Sequence, residues 1–143
     1  MNPVYIDENC TELELKEIVC LKGLLRYNID ATGGLLQKPS LDINLVVRNE
    51  EGRVVGGIMC ETYLMCLDIN VLWVDKAYRG QGFGHQLISR AENIAREAGC
   101  LFAHTCTYSF QSPEFYTRQG YEIYAVMDGF PNDIKLYRLK KKL

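Results

Sequence analysis

The sequence predicts a mixed α/β protein with a strand–glycine turn–helix unit at its centre. Its segments follow one another in the order β, α, three strands, α, β, α and two final strands. Alternating apolar and polar residues indicate the strands, and apolar residues at helical spacing indicate the helices. At the centre, an apolar strand at residues 67–74 runs through a glycine-rich turn into a helical segment at residues 84–98. The 143 residues are enough for a buried core, so we predict a single domain over residues 1–143.

The N-terminal part combines a strand, a helix and an irregular segment. The apolar run at residues 4–6 indicates a short strand. Residues 11–28 carry apolar side chains on one helical face. Thr11 and Glu14 have the spacing of a capping box, a reciprocal pair of hydrogen bonds at a helix start. Gly and Pro in residues 31–40 then predict an irregular segment.

Six further strands are predicted, and the first two form a hairpin. These two β-rich runs are joined by Asn-Glu-Glu-Gly at residues 49–52, which is typical of a hairpin turn. In the third strand, a side-chain period of two predicts that Asp68, Asn70, Leu72 and Val74 share one face. The six strands cover residues 41–48, 53–64, 67–74, 100–107, 121–127 and 134–140.

Two further helices are predicted in the C-terminal half. An apolar stripe over residues 84–98 indicates an amphipathic helix that ends at Gly99. Ser112 as N-cap, Pro113 as the first helical residue and Gly120 as the stop define a second, short helix. Together with the strands, these helices predict one sheet with helices packed against it.

Composition and charge exclude several classes of protein. The net charge is −2 and the only basic run is at residues 140–142, so we expect a solvated terminus and no nucleic-acid partner. Apolar runs stay well short of the roughly 20 residues that cross a bilayer. Residues 1–10 are partly acidic and lack the apolar region of a signal peptide. We therefore expect a cytoplasmic protein with no membrane partner.

The six cysteines lack the paired spacing of metal ligands and any sign of a secretory context. Most lie in apolar surroundings, where a reduced cysteine behaves as a small hydrophobe. None stands beside an evident histidine and aspartate pair that would activate it. We predict buried free thiols, with no disulfide, no metal site and no cysteine nucleophile.

The segment Tyr-Arg-Gly-Gln-Gly-Phe-Gly-His at residues 78–85 indicates an anion site. A strand that enters a helix through a glycine turn leaves backbone N–H groups unpaired, and the helix dipole adds to their positive charge. Gly80, Gly82 and Gly84 let phosphate oxygens approach the main chain, and Arg79 adds charge. The motifs of P-loop and dinucleotide-binding proteins are both incomplete here. We infer a diphosphate ligand; the alternative is a tight turn that binds nothing.

Two segments together resemble the GNAT acetyltransferase superfamily, which binds acetyl-coenzyme A. VLWVDKAYRGQGFGHQLI contains an apolar strand, a short acidic turn and Arg/Gln-x-x-Gly-x-Gly/Ala before a helix. SPEFYTRQGYEIY contains the element Phe-Tyr-x-x-x-Gly-Phe/Tyr, in the family's order and at a typical separation. The resemblance covers about residues 40–138 and implies a mixed, mostly antiparallel central sheet flanked by helices.

The resemblance also implies how acetyl-CoA is held. Main-chain N–H groups of residues 81–85 bind the pyrophosphate. The central strand splays from its neighbour, which frees main-chain groups for the pantetheine arm. Trp73 is expected to face away from the acyl groove, into the core. A main-chain N–H near Leu72 polarises the thioester oxygen. The residues implied in cofactor binding are Leu72, Val74, Arg79, Gly80, Gln81, Gly82, Phe83, Gly84 and His85.

Catalytic roles follow from the same resemblance. Tyr116 is the candidate acid that protonates the departing sulfur; the alternative is a buried aromatic residue of the core. Asp68 is the candidate base, acting on the amine directly or through water, with Asn70 orienting the substrate. The alternative is that Asp68 only opens the strand in solvent. Glu61 is a weaker candidate base, and a hydrogen-bonded core residue is the simpler interpretation of His104.

The function implied is transfer of an acetyl group from acetyl-CoA to a primary amine by direct attack in a ternary complex. The alternatives are a non-catalytic acyl-CoA-binding or sensing module and an interaction domain with a tight glycine turn. Asp30 and Asp42 favour a small cationic amine over a peptide acceptor. Ser109 stands where the family often has Asn, which puts one side-chain contact to coenzyme A in doubt. Family members often form homodimers through their last strands.

Overall fold

The protein is described by a computed structural model over residues 4–37 and 40–143. The chain divides into two compact units, with the boundary between residues 39 and 40. Part of the predicted irregular segment, residues 38–39, lies outside the described residues. Over residues 4–37 and 40–143, no helix is long and apolar enough to span a membrane.

The N-terminal unit is a helical segment followed by a single turn. It begins as α1 (Glu12–Glu14), continues as a π-helix (Leu15–Leu25) and ends as α2 (Arg26–Ala31); a 3-10 turn follows at Leu35–Gln37. The predicted capping box is confirmed by two reciprocal bonds at the helix start. The Glu14 N–H donates to Thr11 Oγ1 at 3.1 Å, and the Thr11 N–H donates to Glu14 Oε2 at 2.7 Å. The strand predicted at residues 4–6 is wrong, because those residues pair with no strand in the described chain.

Residues 40–143 form one six-stranded sheet in the order β1-β2-β3-β4-β6-β5. Within these residues only the β3–β4 pair is parallel. The predicted hairpin between the first two strands is confirmed, as is the mixed, mostly antiparallel sheet with helices. The strands are β1 (Asp42–Arg48), β2 (Val54–Tyr63), β3 (Cys66–Val74), β4 (Phe102–Tyr108), β5 (Glu122–Met127) and β6 (Leu136–Lys142).

Strands β3 and β4 are paired over only part of their length. Pairing begins at Cys66 opposite Phe102 and ends at Ile69 opposite Thr105. Beyond that point β3 continues to Val74 beside β2 alone, and β4 continues beside β6. The splay that the family resemblance implied is therefore present, and it opens a gap within the sheet.

A β-bulge at Asn70 changes which residues of β3 face the core. Ile69 is opposite Cys60 and Val71 is opposite Met59, so Asn70 has no partner in β2. The extra residue shifts the alternation by one, which carries every later side chain to the other face. Asp68 and Asn70 therefore do not share a face with Leu72 and Val74, and that prediction is wrong.

The core lies between the sheet and α3 (Phe83–Glu97), which begins one residue earlier than predicted. Leu87, Ile88 and Ala91 of α3 are buried against sheet residues that include Ile58 and Leu67. Burying an aliphatic side chain of this size contributes about 1.5–3 kcal/mol. The second predicted helix is also present, as α4 (Pro113–Arg118) with Ser112 in the N-cap position.

Two sequence expectations about burial are corrected. Trp73 is not a core residue: 51% of it is exposed, because the bulge turns it towards the face opposite α3. All six cysteines are free thiols, as predicted, but Cys60 and Cys100 are buried, Cys66 is half-buried and the remaining three are exposed. The expectation of burial therefore holds for only part of the set.

Candidate active site

A cleft with a volume of about 760 Å³ occupies the gap between the diverging ends of β3 and β4. It also reaches the glycine turn before α3 and the helix α4. Of the predicted site residues, Gln81 and Asp68 are outside its lining. Those that line it are Asn70, Leu72, Val74, Arg79, Gly80, Gly82, Phe83, Gly84, His85 and Tyr116.

The three glycines of the turn have two different physical roles. Gly80 and Gly82 have φ values of 74° and 87°, in the left-handed region that glycine adopts at little cost. Gly84 has no such φ; a Cβ there would lie 3.1 and 3.2 Å from two ring atoms of Phe115. The first two glycines therefore permit the turn, and the third permits close packing of α3 against α4. The expectation that all three glycines also admit phosphate remains a prediction.

The start of α3 presents unpaired N–H groups beside the cleft. The first hydrogen bond of the helix is donated by the Gln86 N–H to the Gly82 carbonyl at 3.0 Å. The N–H groups of Phe83, Gly84 and His85 precede it and have no acceptor within the helix. Gly82 is the N-cap and offers no side chain to cap them. The turn thus has the donors and the helix dipole of an anion site.

Arg79 is tied to the end of β3. Its Nε donates to the Val74 carbonyl at 2.8 Å, while the residue itself remains exposed and lines the cleft. A guanidinium group has five N–H donors, so most of them remain for a ligand. The positive charge is therefore held next to the N–H groups of the turn.

The backbone of β3 is available along the gap. The Asp75 N–H donates to the Val55 carbonyl at 2.8 Å, which fixes the alternation of hydrogen-bonded pairs between β2 and β3. By that alternation the N–H and C=O groups of Leu72 and Val74 point away from β2 and towards the gap. The Val74 carbonyl already accepts from Arg79. The other groups can pair with an extended ligand.

Tyr116 lies deep in the cleft wall, on α4. Its ring packs edge-to-face on Phe115 and Tyr121, at centroid distances of 5.2 and 5.9 Å. Burial raises the pKa of its phenol, and a side-chain hydrogen bond with Thr105 partly opposes that rise. The Thr105 hydroxyl donates to the Ile69 carbonyl at 3.1 Å, at the pair where β3 and β4 separate. The phenol therefore holds its proton at neutral pH, near the closed end of the gap.

Asp68 lies outside the cleft and is paired with His104. Its Oδ1 is 3.2 Å from His104 Nδ1, because the parallel register of β3 and β4 sets these residues side by side. Glu61 is directly opposite Asp68 in β2. The His104 Nε2 is buried and has no hydrogen-bond partner among the described residues. His104 is hydrogen-bonded, as expected, but its partner is the candidate base.

Several residues that line the cleft were missed by the sequence analysis. Trp73 and Phe110 are large aromatic residues at the ends of β3 and β4, and both are more than half exposed. Gln119, at the end of α4, contacts His85 Nδ1 and so joins α4 to the start of α3. The strand–strand gap was the available signal, because it predicts that side chains at both strand ends line the opening. Ser109, which stands where the family often has an Asn that contacts coenzyme A, accepts a hydrogen bond from the Lys135 N–H at 3.1 Å.

Comparison with known proteins agrees with this architecture. Residues 20–121 match the model of the acetyltransferase (GNAT) family. The blasticidin-S acetyltransferase of Streptomyces morookaense is 40% identical over 95 residues, which are 66% of this chain and 70% of that protein. The crystal structure of an acetyltransferase from Bacillus cereus has a TM-score of 0.87 at 35% identity, covering 97% of this chain and 98% of that one.

A third comparison concerns the ligand. A solved structure from Bacillus anthracis that contains acetyl coenzyme A has a TM-score of 0.65 at 21% identity, over 74% of this chain and 64% of that one. At that identity the likeness is one of fold. The family match, the sequence relatives and the splayed sheet together define the class: the chain belongs to the GNAT family of acetyltransferases.

Proposed function

We propose that this protein is an acetyl-CoA-dependent N-acetyltransferase that acts on a primary amine by direct attack in a ternary complex. The observation that carries the proposal is a single cleft with unpaired helix N–H groups at one end and the buried phenol of Tyr116 at the other. Main-chain groups of Leu72 and Val74 lie between these ends. That sequence of groups suits a diphosphate, an extended arm and a thioester in turn.

In the proposed complex the pyrophosphate binds the N–H groups of residues 81–85, with Gly80 giving it access and Arg79 adding charge. The pantetheine arm pairs with Leu72 and Val74. The amine nitrogen attacks the thioester carbon, and the Leu72 N–H stabilises the developing oxyanion. The carbon–sulfur bond then breaks, and Tyr116 donates its proton to the departing sulfur.

A base must remove a proton from the attacking amine. We propose Asp68 acting through water, with His104 as its hydrogen-bond partner and Asn70 orienting the amine. The cleft is lined by Leu72 from one face of the sheet and by Trp73 from the other. The gap therefore runs through the sheet, and the amine can approach from the face on which Asp68 lies. Glu61, opposite Asp68, is the alternative base.

We propose a small-molecule amine as the acceptor, and a peptide amine as the alternative. The sequence relative named for blasticidin-S supports the first choice. The direct-attack mechanism uses no metal. Three further statements stay predictions: that the chain is a single domain, that the enzyme acts in the cytoplasm, and that it can form a homodimer through its last strands.

Two measurements test the proposal. Acetyl-CoA at 100 times its Kd should stabilise the fold by about 2.7 kcal/mol in a thermal melt. Tyr116→Phe should lower kcat by about 10²–10⁴ and leave the Kd of acetyl-CoA unchanged, because the acid contributes to chemistry and not to binding. Tyr63→Phe, at a half-exposed residue outside the cleft, is the matched control. Transfer should be followed by mass spectrometry, since exposed cysteines would react with thiol reagents.

The outcomes separate the alternatives. Binding of acetyl-CoA without transfer to any amine would favour the sensing module. Absence of any stabilisation by acetyl-CoA would favour a glycine turn that binds nothing, and would overturn the proposal. Equal kcat in Tyr116→Phe and Tyr63→Phe would remove Tyr116 from the mechanism.

A further inference from the structure

Glu92 of α3 is a buried carboxylate that the proposed chemistry does not use. Only 2% of the residue is exposed. Lys141 Nζ of β6 lies 3.0 and 2.8 Å from its two oxygens, and Arg96 Nη2 lies 3.3 Å from Oε2. The hydroxyl of Tyr121 donates to Oε1 at 3.3 Å. One side chain of α3 thus gathers donors from its own helix, from β6 and from the segment after α4.

Tyr121 connects this carboxylate to Tyr116. Its ring, 3% exposed, packs edge-to-face on the Tyr116 ring at 5.9 Å. Its N–H donates to the Tyr116 carbonyl at 3.0 Å. The Lys141 Nζ that binds Glu92 also lies 5.6 Å from the centre of the Tyr121 ring. Tyr121 is therefore fixed at its hydroxyl, at its ring and at its backbone.

A requirement for stability alone does not account for this arrangement. Burying two charges has a desolvation cost that their attraction often fails to recover, and apolar replacements of buried ion pairs are frequently as stable. What a hydrogen-bonded buried pair does supply is a defined position for the groups around it. Here the group held in position is Tyr121, and the residue that Tyr121 contacts towards the cleft is Tyr116.

We propose that Glu92 and Tyr121 are positioning residues for Tyr116: the Glu92 carboxylate fixes the Tyr121 hydroxyl, and the Tyr121 ring holds the Tyr116 phenol at the sulfur of the thioester. The inference rests on the proposed function of Tyr116 as the acid. Neither Glu92 nor Tyr121 lines the cleft, so neither is expected to touch acetyl-CoA or the amine. Their removal should change kcat and leave acetyl-CoA affinity unaltered.

The decisive experiment is a double-mutant cycle on the full chain. Tyr121→Phe keeps the ring and deletes only the hydroxyl, and we expect kcat to fall about fivefold to tenfold, the effect of losing one hydrogen bond. The Kd of acetyl-CoA should stay within about twofold of wild type. In a Tyr116→Phe background the same change should have no further effect on kcat, because residues acting through one group are non-additive. Tyr63→Phe is the control in both backgrounds.

A second pair of variants separates position from charge. Glu92→Gln keeps an acceptor for the Tyr121 hydroxyl and should retain kcat within about twofold, even where it lowers the melting temperature. Glu92→Met removes the acceptor at similar volume, and its kcat should fall as that of Tyr121→Phe does. This pair also decides the matter where Tyr121→Phe does not fold.

Fluorine NMR of protein labelled with fluorotyrosine gives a readout that does not require the amine substrate to be known. The Tyr116 resonance, identified by its loss in Tyr116→Phe, should shift or broaden in Tyr121→Phe and Glu92→Met. It should be unchanged in Tyr63→Phe. An unchanged Tyr116 resonance, wild-type kcat in Tyr121→Phe, or an equal loss of kcat in the Tyr116→Phe background would overturn the inference. Absence of acetyl transfer in the wild type would instead contradict the proposed function.

Discussion

Tyr116 is a phenol enclosed by two aromatic neighbours, and this environment fixes the pH range in which it can act as an acid. Burial raises its pKa above the ordinary value of 10.0. An acid must be protonated to donate, so the raised pKa keeps the active form fully populated at neutral and moderately alkaline pH. The same burial that makes Tyr116 resemble a core residue in the sequence is therefore compatible with catalysis.

The pH dependence of kcat tests this assignment. At saturating acetyl-CoA and amine, kcat should show no alkaline decline from Tyr116 up to about pH 10, because the phenol loses its proton only above that pH. The measurement is a kcat profile from pH 7 to 10 for wild type and Tyr116→Phe. A decline with a midpoint well below pH 10 that vanishes in Tyr116→Phe would contradict the raised pKa.

The cysteines should differ in reactivity. Burial, helped by the charge of Asp68, raises the pKa of Cys60 to about 12 and that of Cys66 to about 11. The thiolate is the reactive form, so these thiols should resist iodoacetamide at pH 8 in the folded protein. Exposed Cys106 should be labelled first, together with the two cysteines near the N-terminus. Peptide mapping after timed labelling is the measurement, and Cys60 reacting as fast as Cys106 would contradict it.

At the scale of elements, β3 shows where sequence patterns stop being sufficient. Its bounds were predicted to within one residue, because the apolar content and the flanking turns are clear. The bulge at Asn70 was not predicted, because the alternation of side chains in Leu-Asp-Ile-Asn-Val-Leu-Trp-Val is equally compatible with a strand that has no bulge. That single extra residue turned Leu72 and Val74 towards the core and Trp73 towards the face on which Asp68 lies. The contact between Asp68 and His104 likewise depends on the register of a parallel pair, which no local pattern encodes.

The turn between β2 and β3 contains two residues with positive φ that the sequence pattern did not predict, and a substitution there should stabilise the protein. Leu64 and Met65 have φ values of 50° and 61°, in a region that costs an L-residue roughly 1–2 kcal/mol. Leu64→Asn should raise the free energy of unfolding by about 0.5–1 kcal/mol, since Asn tolerates this conformation. Urea denaturation should show a higher midpoint at an unchanged slope.

Leu41→Asn is the control for that turn variant. Leu41 is 41% exposed, close to the 43% of Leu64, and has no positive φ. It should therefore gain no stability from the same substitution. Equal changes in the two variants would mean that polarity, and not backbone conformation, is responsible.

At the scale of the whole molecule, the resemblance of two segments to one family was enough to predict the mixed sheet, the splay and about half of the residues that line the cleft. The order of elements alone indicated the mixed sheet, whereas the splay and the cofactor-binding residues were implied by the family resemblance. The Glu92 cluster was not predicted, because its partners at positions 121 and 141 come together only after three elements have packed. Packing of distant segments is the part of the structure that periodicity and spacing do not contain.

The division of the chain makes the prediction of a single domain testable. Among the residues that the structure describes, all buried core residues lie between Ile43 and Leu139, so a chain of residues 40–143 should fold alone with a cooperative thermal transition and bind acetyl-CoA. Circular dichroism melts of this fragment and of the full chain, with and without acetyl-CoA, provide the measurement. Folding of the fragment would contradict a single domain over residues 1–143, whereas loss of the transition would show that folding needs residues 1–39, as that single domain requires.

The separation of β3 from β4 has a consequence for solution behaviour. An unpaired strand edge can form hydrogen bonds with an extended segment of another chain, which is a common first step of aggregation. In this sheet the unpaired edge of β3 lies in the gap beside β4. A narrow extended ligand fits into that gap, whereas a polypeptide with its side chains is too bulky to enter. Bound acetyl-CoA would pair with the exposed main-chain groups of β3, so the protein stored with acetyl-CoA should aggregate more slowly than the protein stored without it.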